Sequence, residues 1–551
     1  MKLKRRTWIK AATALSLGGG AAAFLSQQSS SQSHQTNQPL RIGITSRPRM
    51  LDPRKATDAL SSRINRLIYQ ALIDFDEQFQ PIPSLASWQV LSPTHYRFTL
   101  KTHNFFHHGK PLTAQDVVAT YASILAPDFG SPHRGSLKNI QRLDALNDQQ
   151  IDFKLKQPDA LFVGRLTIGI CPADLIAQGH RFQDQPIGSG PVEFISMDEQ
   201  QLHLTRRSDG QSLQFLPVKD ATVRVLKLQK GELDLIQNDL SPEMVAYCQR
   251  HPELKVQWHS GTNFSYIGFN FADPVLAQPE IRQAIAYGID RTAIIQAMFQ
   301  GHAQLAGGLL APNHWAGHPQ LTGYGFHPQL AKTKLQQGLA KLQQLTQNSN
   351  NKDPKNAKIP SPALKTTDFL NPGLGKLGIS MTKNGEKRLQ LSYKTSSDPT
   401  RIRLATIYQS QLRKIGIDLT IQSYDWGTFY SDIKQGRFQL YSLAWVGVKS
   451  PDIFKYVFDS SAIPPNGANR GRYQDPVVDA LIRQAEKEQD LTQAAALYRQ
   501  LQAHLEQTLA YLPLWYEEQY AVMRKNIHGY KLYADGRYDG LLSTSLLSPT
   551  A

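Results

Sequence analysis

Between Leu389 and Gly447 the chain reads LQLSYKTSSDPTRIRLATIYQSQLRKIGIDLTIQSYDWGTFYSDIKQGRFQLYSLAWVG: strand, helix, strand, short helix, strand. Strands joined through a helix become parallel neighbours only by a crossover, which is right-handed in nearly all cases. The stretch predicts an α/β unit. At roughly 150 residues per domain, the 551-residue chain suggests two to four domains.

A second pattern lies at Tyr96–Thr120, YRFTLKTHNFFHHGKPLTAQDVVAT. Phe98 and Leu100 alternate with Arg97 and Thr99, as on a half-buried strand. A Gly-Lys-Pro turn follows, and Thr113 with Asp116 forms a capping-box start for a helix whose apolar face is Val117, Val118 and Tyr121. In residues 263–295, Ile281, Ala284, Ile285, Gly288 and Ile289 make a buried helical stripe. Gly231 is placed to end a helix before Asp234 opens a short strand.

The first 25 residues read as an export signal. Lys2, Lys4, Arg5, Arg6 and Lys10 form an acid-free basic head, an apolar run extends from Ala11 to Leu25, and Ala21–Ala23 offers a small-residue cleavage site. The wording KRRTWIK, with Arg5 and Arg6 paired, resembles the twin-arginine signal. No cysteine stands near the cleavage site, so no lipid anchor is expected. Residues 26–38, Ser/Gln-rich, read as a disordered tether, and beyond residue 25 no apolar run approaches the ~20 residues of a membrane span. The expected location is periplasmic.

Removing the five basic residues of the signal lowers the net charge from +16 to +11. Lysines and arginines are scattered without interleaved aromatics, which argues against nucleic acid as a partner. The two cysteines, Cys171 and Cys248, leave a disulfide open, since sequence does not give their separation. There is no HExxH, no CxxC and no Walker loop, and GLGKLG at 373–378 lacks the preceding strand that a dinucleotide fingerprint needs. On a strand His103 and His107 would be about 13 Å apart, too far for one metal ion. No catalytic residue, metal or cofactor is expected. Residues 346–388, rich in Asn, Lys, Pro and Gly, read as a loop-like insertion.

The order of these pieces resembles the family 5 solute-binding proteins, the dipeptide, oligopeptide and nickel receptors of ABC importers. Residues 98–117 follow that family's F-x-L-(K/R)-x-x-x-x-F-H-x-G-x-P-L-T-A-x-D-V, and PIGSGPVEF at 186–194, RVLKLQKGELDLI at 224–236 and the YIGFN and IRQAIAYGIDR wording of 263–295 match further motifs. The resemblance covers residues 39–345 and 389–540. It implies an α/β, periplasmic binding protein-like fold (type II, cluster C): two lobes that close on a hinge, with a small lobe inserted in the first. On that reading lobe I comprises 39–52, 170–266 and 510–551, the small lobe 53–169, and lobe III 267–509. The implied protein is a monomeric receptor that hands a peptide or other small solute to the transmembrane subunits of a permease. The alternative is a non-peptide ligand: a metal chelate, sugar derivative or opine.

The resemblance also implies a ligand site. Trp445 stands where the family's tryptophan packs on the peptide, with Gly447 and Val448 after it. Position 448 is usually the acid that pairs with the peptide's free ammonium, so Val448 implies that this chain does not hold such an ammonium in the usual way. Asp452 or Asp425 would be the substitutes nearby. Trp426, Asn469 and Arg470 are further candidates, with Leu60 and Ser61 on the opposite lobe. Each of these is equally compatible with the core or the surface.

Overall fold

The computed structural model describes residues 38–350, 378–381, 385 and 387–547. The export signal, all of the tether but Gln38, and GLGKLG apart from Gly378 lie outside the described residues.

One twelve-stranded sheet runs through both large lobes. Its middle is two long antiparallel strands, Leu254–Phe269 and Tyr511–Arg524. On one side follow Leu235–Gln237, Leu40–Ile44, Ser212–Pro217, Leu202–Arg206 and Val192–Met197. On the other follow Leu440–Trp445 and Lys387–Ser396, the latter paired with both Ile379–Met381 and Ile417–Tyr424. Lys387–Ser396 is parallel to Ile417–Tyr424 and to Leu440–Trp445, as the α/β unit requires. Helices Pro399–Arg413 and Trp426–Gln435 make its crossovers. Ile281, Ala284, Ile285 and Ile289, fully buried, sit in the third lobe's core with Leu391, Leu404 and Trp515.

The small lobe is a four-stranded antiparallel sheet, in the order Ala86–Ser92, His95–Leu100, Gln150–Leu155, Ile140–Ala145. Helix Ala114–Leu125 covers one face, with the Thr113/Asp116 capping box formed. Tyr96, Phe98 and Leu100 point inward; Phe98 and Tyr121 both meet the Phe153 ring edge-on, at 5.2 and 5.6 Å between centroids. This core begins at Leu72. Helix Ala59–Ile68, expected in the small lobe, instead packs Ile64, Leu67 and Ile68 against Leu40, Leu213 and Leu235 of lobe I. Its apolar stripe fits the sheet it follows better than the lobe it precedes.

Two of the sequence motifs meet in space. The His107 amide donates to the Gly188 carbonyl at 2.8 Å, and His107 Nε2 donates to the Gly190 carbonyl at 3.0 Å. The tautomer thus carries its proton on Nε2, and burial lowers the imidazole pKa. The glycines themselves lie against helix Ala59–Ile68: a Cβ on Gly188 would stand 2.1 Å from the Ile68 carbonyl oxygen, and one on Gly190 2.3 Å from that of Leu67. His107 is a turn-docking residue. Among the described residues no cluster of three or more His, Cys, Asp or Glu could hold a metal ion, and no helix is long and apolar enough to cross a membrane.

Helix Pro328–Asn350 continues five residues into the stretch expected as a loop from 346, and strands are in place at Ile379 and from Lys387. Cys171 and Cys248 are free, buried thiols in separate cores.

Candidate ligand cleft

A cavity of about 810 Å³ opens between lobe I and lobe III. Its floor is the crossing strands, through Trp258, Asn263, Glu517, Glu518 and Tyr520. One wall is Gly43–Thr45, the first turn of helix Ala59–Ile68 and the loop before helix Pro242–Arg250; the other is Phe299–His302 (by way of Phe299, Gln300 and His302), Asp398–Arg401 and Val446. Both lobes contribute because the strands beneath them are shared.

The loop from Gln237 to Leu240 is held tightly. Asn238 and Asp239 both adopt left-handed backbone, φ 59° and 58°, a conformation asparagine and aspartate tolerate better than most residues. The Asn238 side chain donates to Gln519 Oε1 at 2.7 Å and accepts from the Tyr520 amide at 3.0 Å. The Tyr520 hydroxyl accepts from the Leu240 amide at 2.7 Å and donates to its carbonyl at 2.9 Å. Arg224, fully buried, donates to the carbonyls of Val218 and Asp239 at 2.7 and 2.6 Å. Burial lowers the pKa of that guanidinium.

Four carboxylates line the cavity: Asp239, Asp398, Glu517 and Glu518. Asp398 caps helix Pro399–Arg413, accepting from the Arg401 amide at 3.0 Å. Glu517 accepts from Ser265 Oγ at 2.9 Å and faces Arg401 Nη2 at 3.6 Å, which raises the Arg401 pKa. Glu518 accepts from His302 Nδ1 at 3.0 Å, and the His302 ring lies flat on Trp258 with centroids 3.5 Å apart. The cations Arg63 and Arg401 line the same space. The cleft presents charges of both signs beside the half-buried, His302-covered ring of Trp258.

Of the residues expected at the site, Leu60 lines the cavity. Ser61, beside it, is buried and accepts from the amides of Arg49 and Met50 at 2.9 and 3.1 Å, so it braces the preceding turn. Trp445 ends its strand turned away from the cavity, which Val446 lines instead. The Trp445 indole lies over the Arg470 guanidinium, 4.7 Å from ring centroid. Arg470 is buried, donating to the hydroxyls of Tyr266 and Tyr430 at 3.2 and 3.1 Å. Gly447 takes the left-handed turn, φ 66°, and Val448 packs with Trp445 against a second apolar cluster, around Tyr441 and Phe454. Asn469 is buried, its amide nitrogen donating to the Asp459 and Tyr473 carbonyls. Trp426 is exposed and stacked on Tyr430.

Neither nearby acid replaces position 448. Asp425 caps helix Trp426–Gln435 through the amides of Gly427 and Thr428, and Asp452 is taken by Arg165 of the small lobe at 2.6 Å. Sequence reasoning missed Asp239, Arg401, Glu517 and Glu518. The one local signal was the pair Glu517–Glu518 inside a mostly apolar strand.

The chain matches the family of bacterial extracellular solute-binding proteins, family 5 (middle region), over residues 80–463. It is 28% identical over 515 residues to the probable di/tripeptide-binding protein 5 of Pseudomonas aeruginosa, covering 86% of this chain and 89% of that one. Two solved structures share the fold. NikZ from Campylobacter jejuni, in complex with Ni(L-His), is 20% identical with a TM-score of 0.73, covering 92% of this chain and 99% of that one. DppA from Helicobacter pylori, in complex with the peptide STSA, is 21% identical with a TM-score of 0.70, covering 93% and 98%. A profile match across more than half its length, on a two-lobed fold with an interlobe cleft, shows that the chain belongs to the family 5 bacterial extracellular solute-binding proteins.

Proposed function

We propose that this protein is the solute-binding receptor of an ABC importer, which encloses a peptide or peptide-like solute between lobes I and III and delivers it to the permease. One observation carries the reading: a cavity of about 810 Å³ over shared strands, with both walls supplying charge. That volume suits a small solute of a few residues, and hinge closure over such a cleft is a known way to commit it. The relative named for di- and tripeptides and the neighbour holding STSA support peptides. The receptor captures its solute without converting it. It is exported as a monomer, through the twin-arginine route read from Arg5 and Arg6, to act in the periplasm.

A second reading is favoured by Val448. Where the acid for a peptide ammonium is missing, the same cleft suits a non-peptide ligand, such as the metal chelate of the NikZ complex. The test is to purify the mature protein without refolding, denature it, and identify released small molecules by mass spectrometry alongside metal analysis. A mixture of short peptides upholds the first reading. One non-peptide solute, or stoichiometric metal, replaces it with the second.

A further inference from the structure

An ammonium brought out of water into a cleft needs a carboxylate, because a buried charge left unpaired is strongly unfavourable. If the ligand is a peptide, as proposed above, Val448 leaves that role vacant at the position where a relative would be expected to fill it. The cleft's four acids are not equivalent. Asp398 is spent on a helix cap, Glu517 on Ser265 and Arg401, and Glu518 on His302. Asp239 alone, among the described residues lining the cleft, has a carboxylate with no hydrogen-bond or ion-pair partner.

Its backbone points the same way. Two consecutive non-glycine residues in left-handed conformation are unusual, and the surrounding structure is built to hold them there. Asn238 is fixed to the crossing strand by three hydrogen bonds, two through its side chain and one through its amide to the Tyr520 carbonyl. Arg224 anchors the Asp239 carbonyl from beneath. None of those contacts uses the Asp239 side chain, which stays open to the cavity on the wall opposite Val446. The walls raise its carboxyl pKa, with Arg63 and Arg224 countering the effect.

We infer that Asp239, on lobe I, is the carboxylate that receives the ligand's terminal ammonium, a task moved across the cleft from the position Val448 occupies on lobe III. The inference rests on the peptide reading, and the two can fail separately. A mixture of di- and tripeptides with free N-termini is screened against the wild-type protein, and the tightest binders are titrated by calorimetry beside their N-acetylated forms. The wild type prefers the free amine by on the order of 10- to 100-fold, the range of a charge-assisted hydrogen bond. Asp239→Asn, which keeps a side chain tolerant of the left-handed backbone, and Asp239→Ser as a second variant, bind both forms about equally, at the wild-type affinity for the acetylated one. Retained acetyl-peptide binding shows that a variant is folded. A variant that keeps the full preference overturns the inference and leaves the peptide reading standing, as does a preference abolished by Glu517→Gln but not by Asp239→Asn. A wild type that binds neither form overturns both.

Discussion

Arg165 of the small lobe reaches the third lobe through Asp452, Nη1 to Oδ2 at 2.6 Å, while its Nε bonds Asp159 of its own lobe at 3.2 Å. Leu161 follows the same path into the third lobe's apolar cluster, and the Trp315 amide donates to the Gln78 carbonyl at 3.0 Å. The small lobe is thus clamped to the lobe across from its own insertion point, by groups that include the acid nearest to the empty position 448.

That clamp separates a structural Asp452 from a ligand-binding one. Arg165→Ala strands two half-buried acids and is expected to destabilise the protein by ~1–3 kcal/mol in urea denaturation. Asp452→Asn, which leaves Arg165 its second partner, costs less. Neither changes the preference for a free over an acetylated amine. A loss of that preference in Asp452→Asn would return the role to Asp452.

His314 makes stability depend on pH. Its Nδ1 accepts from the Ala316 amide at 3.0 Å and its Nε2 donates to the Lys449 carbonyl at 3.1 Å, so the neutral ring is fully used. Burial pushes its pKa down to about 4, against an unfolded value near 6.5. Between those values the unfolded chain binds more protons, so this contribution to stability is present at pH 7 and lost as pH falls from about 6.5 to 4. The loss is on the order of 3 kcal/mol. Urea denaturation at pH 7 and pH 4.5 is expected to show a smaller drop for His314→Gln than for the wild type; equal drops would place the ring's proton uptake elsewhere.

Gly188 and Gly190 are close-approach residues. Gly188→Ala or Gly190→Ala sets a methyl against a helix carbonyl at 2.1 or 2.3 Å, where backbone must move. Each is expected to cost ~3 kcal/mol or more, or to abolish soluble expression. Gly135→Ala, with nothing within 4 Å of the added carbon and no left-handed backbone, is the neutral control.

Cys171 and Cys248 are buried among apolar side chains, which raises both thiols, Cys248 to about 11. Thiol alkylation under native conditions is expected to leave both unmodified, and denaturation without reductant to label two per chain. A chain that labels only after reduction would contain a disulfide.

Much of this architecture could be read locally. The capping box of Thr113 and Asp116, the alternation through Phe98 and Leu100, and the Ile281–Ile289 stripe depend on neighbours within one or two turns, and sequence shows those directly. The cleft could not be read that way. Asp239, Arg401 and Glu517 come from three distant segments, assembled by a ladder whose register no local pattern gives. Trp445 was expected to line the cleft, but at a strand's end successive side chains face opposite ways. Val446 takes the cleft side, and Trp445 turns to Arg470. The boundary of the small lobe moved for a related reason: an amphipathic stripe such as Ile64–Ile68 says that a helix is buried on one face, not which sheet buries it.

The two long central strands also set the order in which the chain can become a protein. Leu235–Gln237 pairs with residues 521–523, and Leu254–Phe269 with residues 511–524. A nascent chain stopped short of residue 511 holds both lobes with open inner edges and their shared sheet split in two. Contacts so distant in sequence form slowly, and unpaired edges invite association. Neither large lobe has its inner edge covered before the strand Tyr511–Arg524 is made. The two large lobes wait on that strand, and trimming the final forty residues would unmake the beginning of the molecule along with its end.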